Sequence, residues 1–128
     1  MDFSEEQALE TYKSMISIGT EAMKGLQLIN GGAVVALLAY IGQAKDGAKL
    51  ATRIDTPVGW FLAGLVAATL TFVLTYLTQF RLLNELRRPA EVKQGTHMIW
   101  LFITIGAAVL SILFFSIGSY AAVCALKG

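Results

Sequence analysis

The stretch PVGWFLAGLVAATLTFVLTYLTQF, running from Pro57 to Phe80, contains no Asp, Glu, Lys, Arg or His. As a helix rising about 1.5 Å per residue, it is long enough to cross a hydrocarbon core of about 30 Å. Its reading decides the fold class, because lipid rather than water becomes the solvent that the side chains must suit. Working outward, a second uncharged run extends from Met98 to Leu126, and a shorter one from Leu26 to Ala44. The predicted fold is an all-α integral membrane protein with three transmembrane helices plus an N-terminal amphipathic helix, continuous with the first span.

Composition agrees with this. The 128 residues are 55% hydrophobic and 15% charged, with mean hydropathy +0.62, and the apolar residues sit in blocks rather than at helical intervals. A net charge of +1 and the lack of a basic stripe with interleaved aromatics argue against a nucleic-acid partner. Cys124 is the single cysteine, so no internal disulfide and no cysteine metal centre is expected. The acidic, amphipathic first twenty-five residues do not read as a cleavable leader, which needs a basic start and then an apolar run.

Residues 1–25 form the amphipathic segment, placed on the cytosolic or interfacial side. Leu9, Tyr12, Ile16, Gly19, Met23 and Leu26 recur in steps of three and four, opposite Glu6, Glu10, Lys13, Glu21 and Lys24. Ser4 is the expected cap, and the broad apolar face demands burial. Transmembrane helix 1 follows over 26–44. Asn30-Gly31-Gly32 is the one break signal, to be read as a turn or as close-packing residues within one helix from about 4 to 43; the second reading is preferred. A loop is expected over 45–56. Thr56-Pro57 then supplies a hydroxyl cap and a proline at the first helical position of transmembrane helix 2, 57–88, whose cytosolic extension ends before Pro89. A basic turn over 89–96 leads to transmembrane helix 3, 97–126. Trp60 and Trp100 suit the membrane interface. Basic residues number six on the side of the N-terminus and second turn, against four on the other, which predicts a multi-pass cell-membrane protein with a cytosolic N-terminus and the C-terminus opposite.

Enzymatic chemistry finds no footing. His97, the single histidine, has no neighbouring cysteine or paired carboxylate in the sequence and reads as an interfacial or helix-start residue. Two spans without an ionisable group lack the relay that ion-coupled transport needs. No catalytic residue, cofactor or metal is expected. A stripe of small and hydroxyl residues does recur every four positions on the second span: Gly59, Ala63, Ala67, Thr71, Thr75 and Gln79, with Gly64 and Ala68 beside it. Thr104, Ala107, Ala108, Ser111, Gly118, Ser119 and Ala122 repeat the theme more weakly on the third. Such a stripe either packs helices together or lines a weakly polar pore, with Asn30 near its mouth.

Charges outside the spans are the other clue. Five acids against two lysines give residues 1–25 a net −3, whereas residues 81–93 carry a net +2. An acidic helix suits protein better than an anionic leaflet. Glu6, Glu10, Glu21, Arg81, Arg87 and Arg88 are therefore the expected docking residues. The expected partners are the lipid bilayer, further copies in a homo-oligomer, and a cytosolic protein. The expected function is a small oligomeric membrane protein forming a pore, channel or permeabilising assembly. The alternative is a non-catalytic membrane scaffold or regulatory subunit that docks a cytosolic partner.

Overall fold

The structure, a computed structural model, describes residues 2–88 and 95–127. Among these, three helices account for nearly all of the chain: α1 (Phe3–Gln43), α2 (Gly47–Arg87) and α3 (Thr96–Lys127). All three are long and apolar enough to cross a membrane. At about 1.5 Å per residue, α1 and α2 each reach roughly 60 Å, twice the hydrocarbon thickness, so both extend well beyond any apolar layer.

No separate amphipathic helix precedes the spans among the described residues. Residues 3–25 of the expected segment over 1–25 supply the first turns of α1, since no proline interrupts the backbone ladder before Gln43. Asp2, in extended conformation, is the N-cap rather than Ser4, whose hydroxyl instead donates to the Asp2 carboxylate at 3.1 Å. Glu5 and Glu6 fall in the first turn, where the helix dipole favours acids. Asn30-Gly31-Gly32 does not break the helix. The Asn30 amide donates to the carbonyl of Leu26 one turn back, and Leu65 of α2 lies against Gly31, so tertiary contact offsets the weak helix propensity of glycine.

The loop expected over 45–56 contracts to Ala44–Asp46. The Asp46 carbonyl accepts from Lys49 and Leu50, and helix formers carry α2 onward from there. Pro57 thus lies inside α2 instead of starting it. Its missing N–H forfeits the bond to the Arg53 carbonyl, but burial of Ile54 and Pro57 holds the segment helical. Gly47 permits the sharp reversal, because a Cβ there would meet the Ile41 carbonyl oxygen at 2.8 Å. Of the predicted turn over 89–96, residues 89–94 lie outside the described ones.

α2 is the centre of the bundle. It packs against both α1 and α3, which touch each other little. Its buried residues Pro57, Phe61, Gly64, Ala68, Thr71, Thr78 and Glu85 are spaced by three, four or seven. On α3, Thr104, Ser111 and Gly118 repeat every seven. A seven-residue repeat is the pattern of helices packed side by side with a slight left-handed wrap. Small residues on that seam bring the backbones close: the ring of Phe61 sits 3.0 Å from where a Cβ on Gly118 would be.

Candidate functional site

Asn30 is wholly buried where the three helices meet. Its Nδ2 donates to the Leu26 carbonyl at 2.9 Å and to Ser111 Oγ of α3 at 3.2 Å. Ser111 Oγ in turn donates to the Gly64 carbonyl of α2 at 2.8 Å. One amide and one hydroxyl therefore tie α1 to α3 and α3 to α2. Asn30 Oδ1 has no hydrogen-bond partner and fills the space that a side chain on Gly64 would take. A Cα–H···O contact with Gly64 is the interaction left to it. Interhelical hydrogen bonds of this kind in lipid average about 0.6 kcal/mol and reach about 1.7 kcal/mol. The junction thus fixes register more than it supplies stability.

The four-residue stripe on α2 does not stay on one face. Gly59 is exposed, Ala63 half-buried, Ala67 and Thr71 buried, Thr75 half-buried and Gln79 exposed. At about 100° per residue, a four-residue step overshoots a full turn by about 40°, so the row drifts around the helix. Its hydroxyls are engaged locally. Thr71 Oγ1 donates to the Ala68 carbonyl at 2.5 Å, and Thr75 Oγ1 lies 2.7 Å from the Thr71 carbonyl and 3.6 Å from the Met23 sulfur. Gln79 Oε1 accepts from the Tyr12 hydroxyl at 3.0 Å, and Gln27 Nε2 donates to Thr69 Oγ1 at 3.2 Å. These contacts join α1 to α2.

At the end where α2 turns into α3, Glu85 is 7% exposed and spans the connection. Its carboxylate accepts from the backbone N–H groups of Gly95 (3.0 Å) and His97 (2.9 Å), and lies 2.8 Å from His97 Nδ1. An acid on α2 therefore serves the otherwise unsatisfied N–H groups at the start of α3. Burial alone would raise the Glu85 pKa, but the contacts from His97 and Gly95 together outweigh it and hold the carboxyl below its ordinary range. The reading of His97 as lacking a carboxylate is corrected: its partner is twelve residues earlier in the chain, across the turn, where no local spacing reveals it. Arg81 caps the same region, its guanidinium 5.9 Å above the Trp100 ring.

The remaining docking residues stand apart. Glu21 pairs with Lys24 at 3.0 Å. Glu6, Glu10, Arg87 and Arg88 are exposed. Glu6, Glu10 and Arg87 form no ion pair among the described residues. The apolar face of the N-terminal turns, expected to be covered, is not. Leu9, Tyr12 and Ile16 point the same way as Met23 and Leu26 yet stay 42%, 41% and 42% exposed. Met15 and Ile18 on α1 and Leu86 on α2 are more open still. Tyr12 pairs with Gln79 and Met23 lies against Thr75, so α1 from Tyr12 onward runs beside the apolar span of α2. Beyond that span, residues 3–11 of α1 and 81–88 of α2 form a stem that is oppositely charged on its two helices and only partly self-covered.

The described residues include no cluster of His, Cys, Asp and Glu able to hold a metal ion. Comparison with protein-family models, with curated proteins and with solved structures finds no match for this chain.

Proposed function

We propose that this chain is a non-catalytic, multi-pass membrane scaffold that works by self-association, its copies joined through the stem formed by residues 3–11 and 81–88. The observation that carries this reading is the exposure of the apolar side chains Phe3, Leu9 and Leu86 on the stem, with Glu5, Glu6 and Glu10 on α1 and basic Arg81 and Arg87 on α2. A folded chain in water does not leave such a face open without a partner. The acidic helix of one copy complements the basic helix end of the next, so a second copy of this chain is the occupant that the charges favour. The modest excess of basic residues on the stem side supports a cytosolic stem. The pore reading draws less from the geometry, because Thr71 and Thr75 spend their hydroxyls on their own backbone between packed helices.

A charge exchange tests the proposal. Glu6→Arg with Glu10→Arg makes both stem helices basic, and Arg81→Glu with Arg87→Glu makes both acidic. Each variant alone should be monomeric in lipid nanodiscs by subunit-counting photobleaching. Mixed together, they restore attraction at both interfaces and should co-assemble. A monomeric wild-type chain, or assembly indifferent to both variants, overturns the reading.

A further inference from the structure

At the opposite end of the bundle, the α1–α2 reversal encloses an open cleft of about 470 Å³. Tyr40 lines it from the end of α1, Lys45 and Asp46 from the connection, and Lys49, Leu50 and Arg53 from the start of α2. The three cations follow one another at four-residue intervals, and none makes an ion pair among the described residues. With Asp46 the cleft carries a net +2. The first turn of α2 adds the positive end of its dipole. Three uncommitted cations around a cavity of ligand size call for an anion.

Height along the helix axis identifies the source of that anion. Arg53 lies four residues before Pro57, about 6 Å along the helix from where the uncharged run begins, a distance that matches the headgroup layer. Lys49 is one turn farther out, and its flexible stem can reach back toward the same layer. Tyr40 closes the last turns of the apolar run of α1, and Leu50 offers an apolar wall. We infer that this cleft binds the phosphodiester headgroup of an anionic membrane lipid, with Lys45, Lys49 and Arg53 neutralising the phosphate and Tyr40 contacting the glycerol and upper acyl region. This inference does not depend on self-association, since the stem lies at the other end of the bundle.

The test uses the full chain, delipidated in detergent and titrated with phosphatidylglycerol or with phosphatidylcholine of the same acyl chains, with bound lipid counted by native mass spectrometry. Phosphatidylglycerol should bind preferentially. The triple variant K45Q/K49Q/R53Q should lose that preference, by about fivefold for each cation removed. The charge-preserving variant K45R/K49R should retain it, which separates lost charge from damaged folding. Equal binding of both lipids, undiminished preference in the triple variant, or lost preference in the arginine variant overturns the inference. Displacement of phosphatidylglycerol by millimolar inorganic phosphate would overturn the lipid assignment in favour of a soluble anion.

Discussion

Replacing Gly64 by alanine tests the junction that holds the three helices together. A methyl group there would sit 2.8 Å from Asn30 Cγ, about 0.6 Å short of ordinary contact. The amide has nowhere to retreat, because Nδ2 is held by the Leu26 carbonyl and Ser111 Oγ. Either those bonds break or α1 and α2 part. Overpacking of this kind costs about 1–3 kcal/mol. Asn30→Ala alone gives up the bond to Ser111, about 0.6–1.7 kcal/mol, and leaves a void where the amide was, partly offset by no longer burying the unpartnered Oδ1. In the double variant the alanine methyl at position 64 enters the vacated space. Its cost should therefore fall below the sum of the single costs by about 1 kcal/mol or more. Equilibrium unfolding in mixed micelles, followed by far-ultraviolet circular dichroism, measures all four corners of the cycle. Costs that add to within about 0.5 kcal/mol would refute the close approach of this amide to the α2 backbone.

Two further outcomes follow from the structure. Since the Glu85 carboxyl is held below its ordinary range in the folded chain, it stabilises the α2–α3 connection above the unfolded value of about 4.3, and that contribution fades as the pH falls through the folded value. The protection factors of the Gly95 and His97 amides, taken relative to intrinsic exchange at each pH, should fall in the wild type as the pH drops below the ordinary carboxylate range, and Glu85→Gln should lose this dependence; an unchanged acid response in the variant would count against the clasp. Because α2 begins at Gly47, the amides of residues 51–54 should exchange at helical rates, whereas loop-like exchange up to Thr56 would restore Pro57 as the start of the helix.

How far the chain could be read without its fold differs by element, for reasons of range. The uncharged runs over 57–80 and 98–126 identify two spans unaided, since hydropathy and helix length are local quantities. Asn30 stood out because an amide within an apolar run needs a partner, and that need is likewise visible locally. Its partner Ser111 was one of several small residues on the third span, and only packing selected it. The four-residue stripe named Ala67 and Thr71, which are buried, but also Gly59 and Gln79, which are exposed, because a straight count of four drifts around the helix whereas the true seam repeats at seven. Gly64, taken as a flanking residue, proved to lie at the centre.

Local signals misled where tertiary contact opposed them. Thr56-Pro57 carries a helix-start signature, yet burial of Ile54 and Pro57 extends the helix back through it. Glu85 and His97 meet across a turn, so neither predicts the other from its neighbours. Unaided, then, the order of residues determined that this chain is helical and has three segments apolar enough for a bilayer, because each helix satisfies its backbone internally whatever surrounds it. Which faces meet and which polar groups pair were decided only in three dimensions, because those contacts join residues far apart in the chain and depend on how closely small side chains let the helices approach.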